Sequence, residues 1–344
     1  MKALAQRRGD ATTDLLVGRV LCHDVRDAGG KVALAKGALL DAAAAQKLLT
    51  LPWDEVHLLG VDAGDLHEED AGRRLAAAAT GDGVEVKGYT GGQWALTATR
   101  RGLLRIDVRR LADVNGHEGI AVFTLFDGQP VERGETVAKA KVTPLVIGGD
   151  IVRAVEKDAG DGVVAVSPFR PAVVGAVARE SLEPRQRTRF ESALRQKIDW
   201  FGSQLLDIRF AEPSARGVAE ELRTLREAGA NVLIVAGASA LDPLDPVFGG
   251  LTLLGARMER HGAPAHPGSL LWLARWQELA VLGMPTCGMF SQATTFDLVL
   301  PRLLAGERVG NTEIAALGHG GLLSREMAYR FPPYRSDVAR GELE

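Results

Sequence analysis

The chain has 344 residues, of which 46% are hydrophobic and 25% charged, and its formal net charge is −3. That balance fits two globular domains, or three if one is small, and excludes a disordered or membrane-embedded chain. No window approaches the ~18 apolar residues of a membrane span, Met1–Asp10 lacks the apolar core of a signal peptide, and the basic residues are scattered, so a cytoplasmic protein with no membrane or nucleic-acid partner is expected.

From about Leu15 to Ser167 the sequence is rich in glycine and short β-like runs: Val32–Leu34, Glu55–Leu59, Val84–Val86, Leu103–Val108, Ile120–Leu125, Val142–Ile147 and Val163–Val166. Helices are expected at about Asp41–Leu49 and Glu68–Thr80. Turn signals at Asp127-Gly128 and Glu132–Gly134 complete a β-rich α+β texture.

The rhythm changes at Ser167–Pro171, where two prolines disfavour regular structure. PAVVGAVAR is a continuous apolar run of the kind buried on both faces of a sheet. A helix follows over about Gln186–Gln204, with Phe190, Ala193, Leu194, Ile198 and Phe201 at helical spacing, then a strand at Leu205–Phe210. Ser214 suits the N-cap of a helix carrying Val218, Leu222 and Leu225 and ending at Ala228-Gly229. Asn231–Ala236 is the third strand. A helix near Pro246–Gly255, a strand at Leu279–Gly283 and a helix near Gln292–Leu304 extend a series of βαβ units on a mostly parallel sheet, an α/β three-layer sandwich. After Gly310 the pattern dissolves into a polar tail.

Parallel sheets bind ligands beyond the carboxyl ends of their strands, and three loops there carry useful chemistry. In AGASALDPLDP, Ala236, Gly237 and Ala238 permit close backbone approach, and Gly237 can take a positive φ. Ser239 offers a hydroxyl. Asp242 and Asp245 suit Mg²⁺ beside a phosphate, but each precedes a proline and equally suits a turn or an N-cap. The second loop, HPGSLLW, has Pro267-Gly268-Ser269 opening an apolar helix with Ser269 as N-cap. The third, GMPTCGMFSQATTF, includes Cys287, which reads either as a nucleophile without a neighbouring base or as a small packed thiol.

Cys22 and Cys287 form no CxxC or Cys/His spacing, so neither a zinc site nor a disulfide is expected. The seven histidines show no HExxH pattern. There is no GxxxxGK[ST] phosphate loop, no GxGxxG after a strand and no GxSxG elbow, which removes the usual support for nucleotide hydrolases and α/β-hydrolases.

The three loops, in this order, resemble the molybdopterin-binding domain of molybdenum cofactor biosynthesis proteins. Its GG-x-S-x-G-x-x-D loop is matched by Ala236-Gly237-Ala238-Ser239-Ala240-Leu241-Asp242, with Asp245 close behind. Its PGKP-like turn resembles Pro267-Gly268-Ser269. Its LPGNP turn and LPLL-ended helix resemble Met284-Pro285-Thr286-Cys287-Gly288, then Phe296 and Leu300-Pro301-Arg302-Leu303-Leu304. The likeness is closer still to the molybdopterin-binding half of proteins fused to a cytidylyltransferase-like domain, with GRVL near Gly18 and VAKAKVTPL at Val137 as further matches.

The resemblance implies a β-rich region at 1–167, a molybdopterin-binding α/β domain at 168–310 and a tail at 311–344. It implies a pocket of Gly237, Ala238, Ser239, Thr188, Glu212, Pro267, Gly268, Ser269, Pro285 and Thr286, with Asp242 and Asp245 as the catalytic and Mg²⁺-binding candidates. The family's GDEL and DSN motifs become Ala178-Arg179-Glu180-Ser181-Leu182 and Arg187-Thr188-Arg189 here, replacing acidic groups by basic ones. Three roles stay open: molybdenum transfer to molybdopterin, a non-enzymatic carrier that hands the cofactor to a molybdoenzyme, and a sensor with a degenerate pocket. A homo-oligomer is also implied.

Overall fold

Short apolar runs broken by glycine build several small sheets in the first half, whereas the long apolar runs after Pro171 build one larger sheet. A computed structural model describes residues 2–179, 182–238, 240–290 and 294–334. The chain divides into two units: Met1–Arg100, Arg105–Asp127 and Arg133–Val166 form the first, and Arg101–Leu104, Gly128–Glu132 and Ser167–Glu344 the second.

The first unit begins with β1 (Lys2–Arg7), α1 (Thr13–Leu16), β2 (Arg19–Leu21), β3 (Val25–Arg26), β4 (Val32–Leu34), α2 (Ala42–Thr50) and β5 (Glu55–Gly60). β5 pairs antiparallel with β1 and β2, and Leu16, Leu21, Leu48 and Leu58 fill the core between these elements. The chain continues through β6 (Asp65–His67), α3 (Glu68–Ala79), β7 (Val84–Thr90), β8 (Gln93–Ala98), β9 (Gly102–Ile106), α4 (Val108–Asn115) and β10 (Ile120–Thr124). Then come β11 (Pro130–Val131), which with the first part of β9 belongs to the second unit, and β12 (Thr136–Val142), β13 (Val146–Gly148), α5 (Gly149–Ala159) and β14 (Val164–Pro168). An antiparallel sheet runs in the order β10-β12-β8-β7, and β13 pairs with β6. The single strand expected at Val142–Ile147 is two strands, because Pro144 lacks the amide hydrogen that would continue the ladder.

The second unit is built on a sheet of six strands in the order β16-β15-β17-β20-β19-β18. Its elements are β15 (Val173–Ala178), α6 (Pro184–Trp200), β16 (Gln204–Phe210), α7 (Ala215–Glu227), β17 (Val232–Ala236), α8 (Pro246–Leu253), β18 (Arg257–His261), β19 (Trp272–Trp276), β20 (Leu279–Met284), α9 (Thr286–Phe290), α10 (Thr295–Leu304) and α11 (Asn311–Ala315). β16, β15, β17 and β20 are parallel, and β19 and β18 antiparallel.

Side chains alternate between the two faces of the parallel strands. Val174, Ala176, Ile234 and Leu282 pack with Phe190, Leu194 and Ile198 of α6 and Phe296 and Leu300 of α10. Val177, Leu233, Val235 and Val281 pack instead with Val218, Leu222 and Leu225 of α7 and Val247 and Leu251 of α8. Gly175 admits α7 closely, since a Cβ there would lie 3.0 Å from Leu225. Ser214 caps α7, accepting from the Gly217 amide at 3.0 Å.

Two expectations need correction here. Ser269 does not open a helix: it lies in a turn, and the apolar run after it is β19, the central strand of an antiparallel trio. Gln277 takes φ 54 in a tight return from β19 into β20, and burial of Trp272, Leu273, Ala274 and Trp276 needs sheet partners on both sides. Helix α6 stops at Trp200, short of Gln204, because Gly202 takes φ 68 and the strand starts directly afterwards. Among the described residues no helix is long and apolar enough to cross a membrane.

Candidate functional site

The strand register aligns six chain segments at one edge of the second unit's sheet. Ala178 pairs with Phe210 and with Ala236, Ala236 with Met284, Gly283 with Trp272, and Trp272 with His261. The carboxyl ends of all four parallel strands therefore share this edge with the segment entering β19. Each of the three loops read from the sequence leaves or enters it.

Gly237 takes φ 79, the left-handed conformation that glycine alone adopts without strain. Its carbonyl accepts from Arg179 Nε at 3.3 Å, and the Arg179 amide donates to the Ala236 carbonyl at 3.0 Å. The same guanidinium reaches Asp245 at 3.3 Å, so the loops after β15 and β17 are tied together. Asp245 is buried and caps α8, accepting from the Val247 amide at 3.0 Å. Asp242 is exposed and closes a turn by accepting from the Leu244 amide at 2.9 Å. His261 donates from Nε2 to the Ala240 carbonyl at 2.6 Å. Ala238 is half-buried beside Gly237. Ser239 lies outside the described residues.

Pro267 and Gly268 are seated against the start of α10. The Pro267 carbonyl accepts from the Thr295 amide at 3.0 Å, and a Cβ on Gly268 would sit 2.7 Å from that same nitrogen. Only glycine permits this approach. Ser269 is exposed, and its carbonyl accepts from the Ala263 amide at 2.9 Å. In the third loop Pro285 is buried, its carbonyl bonded to the Gly288 amide at 2.8 Å, and Thr286 begins α9. Cys287 is exposed, and desolvation outweighs nearby amide donors to hold its thiol above the usual value, the opposite of an activated thiolate.

Helix α6 supplies the basic side of this edge. Its N-terminal half carries Arg185, Arg187 and Arg189, with the dipole's positive end at Pro184. Arg187 stacks over the Phe210 ring at 3.7 Å, at the end of β16, and Arg189 lies 5.6 Å from the Phe290 ring. Neither guanidinium has a carboxylate partner among the described residues. Thr188, Arg189, Ser192, Gln196 and Phe290 line a cavity of about 310 Å³ between α6 and α9. Thr188 is exposed and donates to the Pro184 carbonyl at 3.1 Å. Glu212 is exposed after β16, and its carbonyl accepts from the Ser214 amide at 2.7 Å.

The donor set thus suits an anion. Asp242 and Asp245 shape their loop, and among the described residues no group of three or more His, Cys, Asp or Glu side chains is placed to hold a metal. Sequence reasoning missed the pairing of Arg179 with Asp245. It also missed a buried network in the core beside α6, where Lys197 donates to Asp297, which further accepts from the Tyr334 hydroxyl at 2.9 Å and the Thr294 hydroxyl at 2.9 Å. The signal for the second was a lysine at helical spacing among Phe190, Leu194 and Ile198.

No family model matches this chain, and no curated protein matches it. Among solved structures it is similar to the molybdopterin biosynthesis MoeA protein from Pyrococcus horikosii, at 14% identity and TM-score 0.29, covering 70% of this chain and 79% of that one. A molybdenum cofactor biosynthesis protein from Pyrococcus furiosus is similar at 11% identity and TM-score 0.26, covering 89% of this chain and 65% of that one. MogA is similar at 16% identity and TM-score 0.25, covering 39% of this chain and 92% of that one. Likenesses of this degree assign no residue of this chain a role.

Proposed function

We propose that residues 168–310 form a three-layer α/β domain that binds molybdopterin, or its nucleotide-linked or metal-loaded form, at the carboxyl edge of the sheet, and that the chain acts in molybdenum cofactor biosynthesis. The observation that carries this reading is the convergence of the Gly237 loop, the Pro267-Gly268 turn and the Pro285-Thr286 turn on one strand edge, beside a basic helix start. Gly237 and Ala238 give close backbone approach, Ser239 and Ser269 add hydroxyl donors, and Arg187, Thr188 and Arg189 meet the phosphate. Titrating the purified chain with molybdopterin tests the reading. Binding is expected in the wild type, with a loss of about tenfold or more in Arg187→Ala/Arg189→Ala. A wild type that does not bind sinks the function, and unchanged affinity in the variant sinks the site.

Two forms of this reading differ in chemistry. In the catalytic form the domain promotes molybdenum transfer to the dithiolene by positioning and charge stabilisation, with Mg²⁺ arriving on the substrate rather than residing on Asp242 and Asp245. In the carrier form it delivers the finished cofactor to a molybdoenzyme. The engagement of both aspartates in loop structure favours the carrier. Incubation with molybdopterin, molybdate and Mg²⁺ separates them, since active cofactor forms only under the catalytic reading.

A further inference from the structure

We propose that residues 318–334 are a positioning strap for the candidate site, holding its second and third loops in place through Tyr334 and Asp297. The inference deepens the reading of the second unit's binding edge and rests on that reading for the ligand alone. Every residue it uses belongs to that unit.

The start of α10 is the hub. The buried Asp297 carboxylate divides its two oxygens between neighbours. Oδ2 accepts from the Thr294 amide at 3.0 Å and the Thr294 hydroxyl at 2.9 Å, which fixes the first turn of the helix. Oδ1 accepts from Lys197 of α6 and from the Tyr334 hydroxyl at 2.9 Å. Both loops lean on this turn. The buried Thr295 hydroxyl lies 3.1 Å from the carbonyls of Ala265 and Pro267. Gly288 of α9 faces Thr294, since a Cβ there would lie 3.4 Å from its hydroxyl.

The strap grips this hub from two ends. At the first end it runs beside the second loop: the His266 amide donates to the Gly321 carbonyl at 2.7 Å, and the Leu323 amide donates to the His266 carbonyl at 2.8 Å. Gly321 is required there, because a Cβ would lie 2.5 Å from the Pro264 carbonyl oxygen. Farther along, Leu323 and Phe331 close over Leu298 of α10, and the buried Gln129 side chain donates to the Tyr329 carbonyl at 2.9 Å. At the last end Tyr334 is buried, its ring against Trp200 and Phe201 and its hydroxyl on Asp297. Separating a buried hydroxyl from a buried carboxylate leaves both short of a partner. Seating of the strap and orientation of Asp297 are therefore coupled.

Hydrogen–deuterium exchange of the full chain tests the inference without any ligand. Tyr334→Phe drops only the hydroxyl and keeps the ring, whereas Gly321→Ala lifts the strap at its other end. Each is expected to speed exchange of the Thr295 amide, which bonds the Pro267 carbonyl at 3.0 Å, by about tenfold, with the Val232–Ala236 amides of β17 unchanged. Leu222→Ala, in the core on the opposite face of the sheet, loosens the unit generally and is expected to show no such selectivity. If either strap variant leaves Thr295 exchange unchanged or speeds β17 equally, or if Leu222→Ala reproduces the selectivity, the inference fails. Molybdopterin titration then reads the site: Tyr334→Phe is expected to weaken binding about threefold or more and Leu222→Ala to leave it unchanged. Equal affinity in wild type and Tyr334→Phe overturns the positioning role. A wild type that binds no molybdopterin removes the ligand reading alone, and the exchange result still decides the strap.

Discussion

Replacing Lys197 by methionine removes one charge from the core of the second unit while keeping the unbranched stem. Lys197 is 2% exposed and Asp297 0%. In Lys197→Met the carboxylate keeps the Tyr334 and Thr294 hydroxyls and the Thr294 amide at 3.0 Å, but loses its counter-charge among Phe190, Phe296 and Leu300. Those donors are present in the wild type as well, so they offset nothing new. Breaking a buried pair from one side costs about 3–5 kcal/mol. For a unit of this size that lowers Tm by roughly 6–20 °C. Lys197→Met/Asp297→Asn buries no charge and is expected to recover most of the loss, because a neutral replacement of similar volume avoids the desolvation that the pair requires. Urea unfolding followed by the fluorescence of Trp200, Trp272 and Trp276, all in this unit, reads the transition. If the double variant falls by the sum of the two single losses, the pair is not coupled and the reasoning fails.

Burial first, then the charge and hydrogen bond of Asp297, push the Tyr334 phenol well above its ordinary value. The folded state keeps the proton where the unfolded chain releases it, so this stabilisation is complete below the unfolded value of about 10 and is lost as pH rises above it. Denaturation midpoints measured across that window should decline less steeply in Tyr334→Phe. An equal slope refutes the assignment. Gly283→Ala is expected to cost about 1–3 kcal/mol or more, since its Cβ would lie 2.1 Å from the Trp272 ring, and the near-ultraviolet dichroism of that indole should change with it. Arg179→Ala leaves Asp245 buried without its guanidinium and should lower stability by about 1–3 kcal/mol, with proteolysis first accelerating in the Gly237–Asp245 loop.

Where burial is two-sided and the run long, the sequence was easy to read: Val173–Ala178 and Val232–Ala236 admit no other element in a βαβ rhythm. Leu270–Trp276 failed on the same ground, since a short buried strand and a buried helix present the same apolar run, and the turn at Gln277 was the only local discriminator. β1, KALAQR, was invisible because most of its side chains are exposed and its one buried residue is a glutamine. α5 carries Val152, Val155 and Ala159 at helical spacing, and it was missed between glycine-bounded strands. At the site, loop positions were legible because they follow strand ends. The partnership of Arg179 with Asp245 was not, because it joins loops after two strands that are neighbours in the sheet but distant in the chain.

One border of the six-stranded sheet is β18, Arg257–His261, whose ladder with β19 slips between Met258 and Arg260. Arg257, Glu259 and Arg260 place both signs of charge on this short, irregular strand, and Arg257 is already paired with Glu259. A second copy laid alongside would find neither a regular row of backbone groups nor an apolar surface to align with. Strand addition at β18 is therefore disfavoured, and growth of the sheet from chain to chain is blunted on this side.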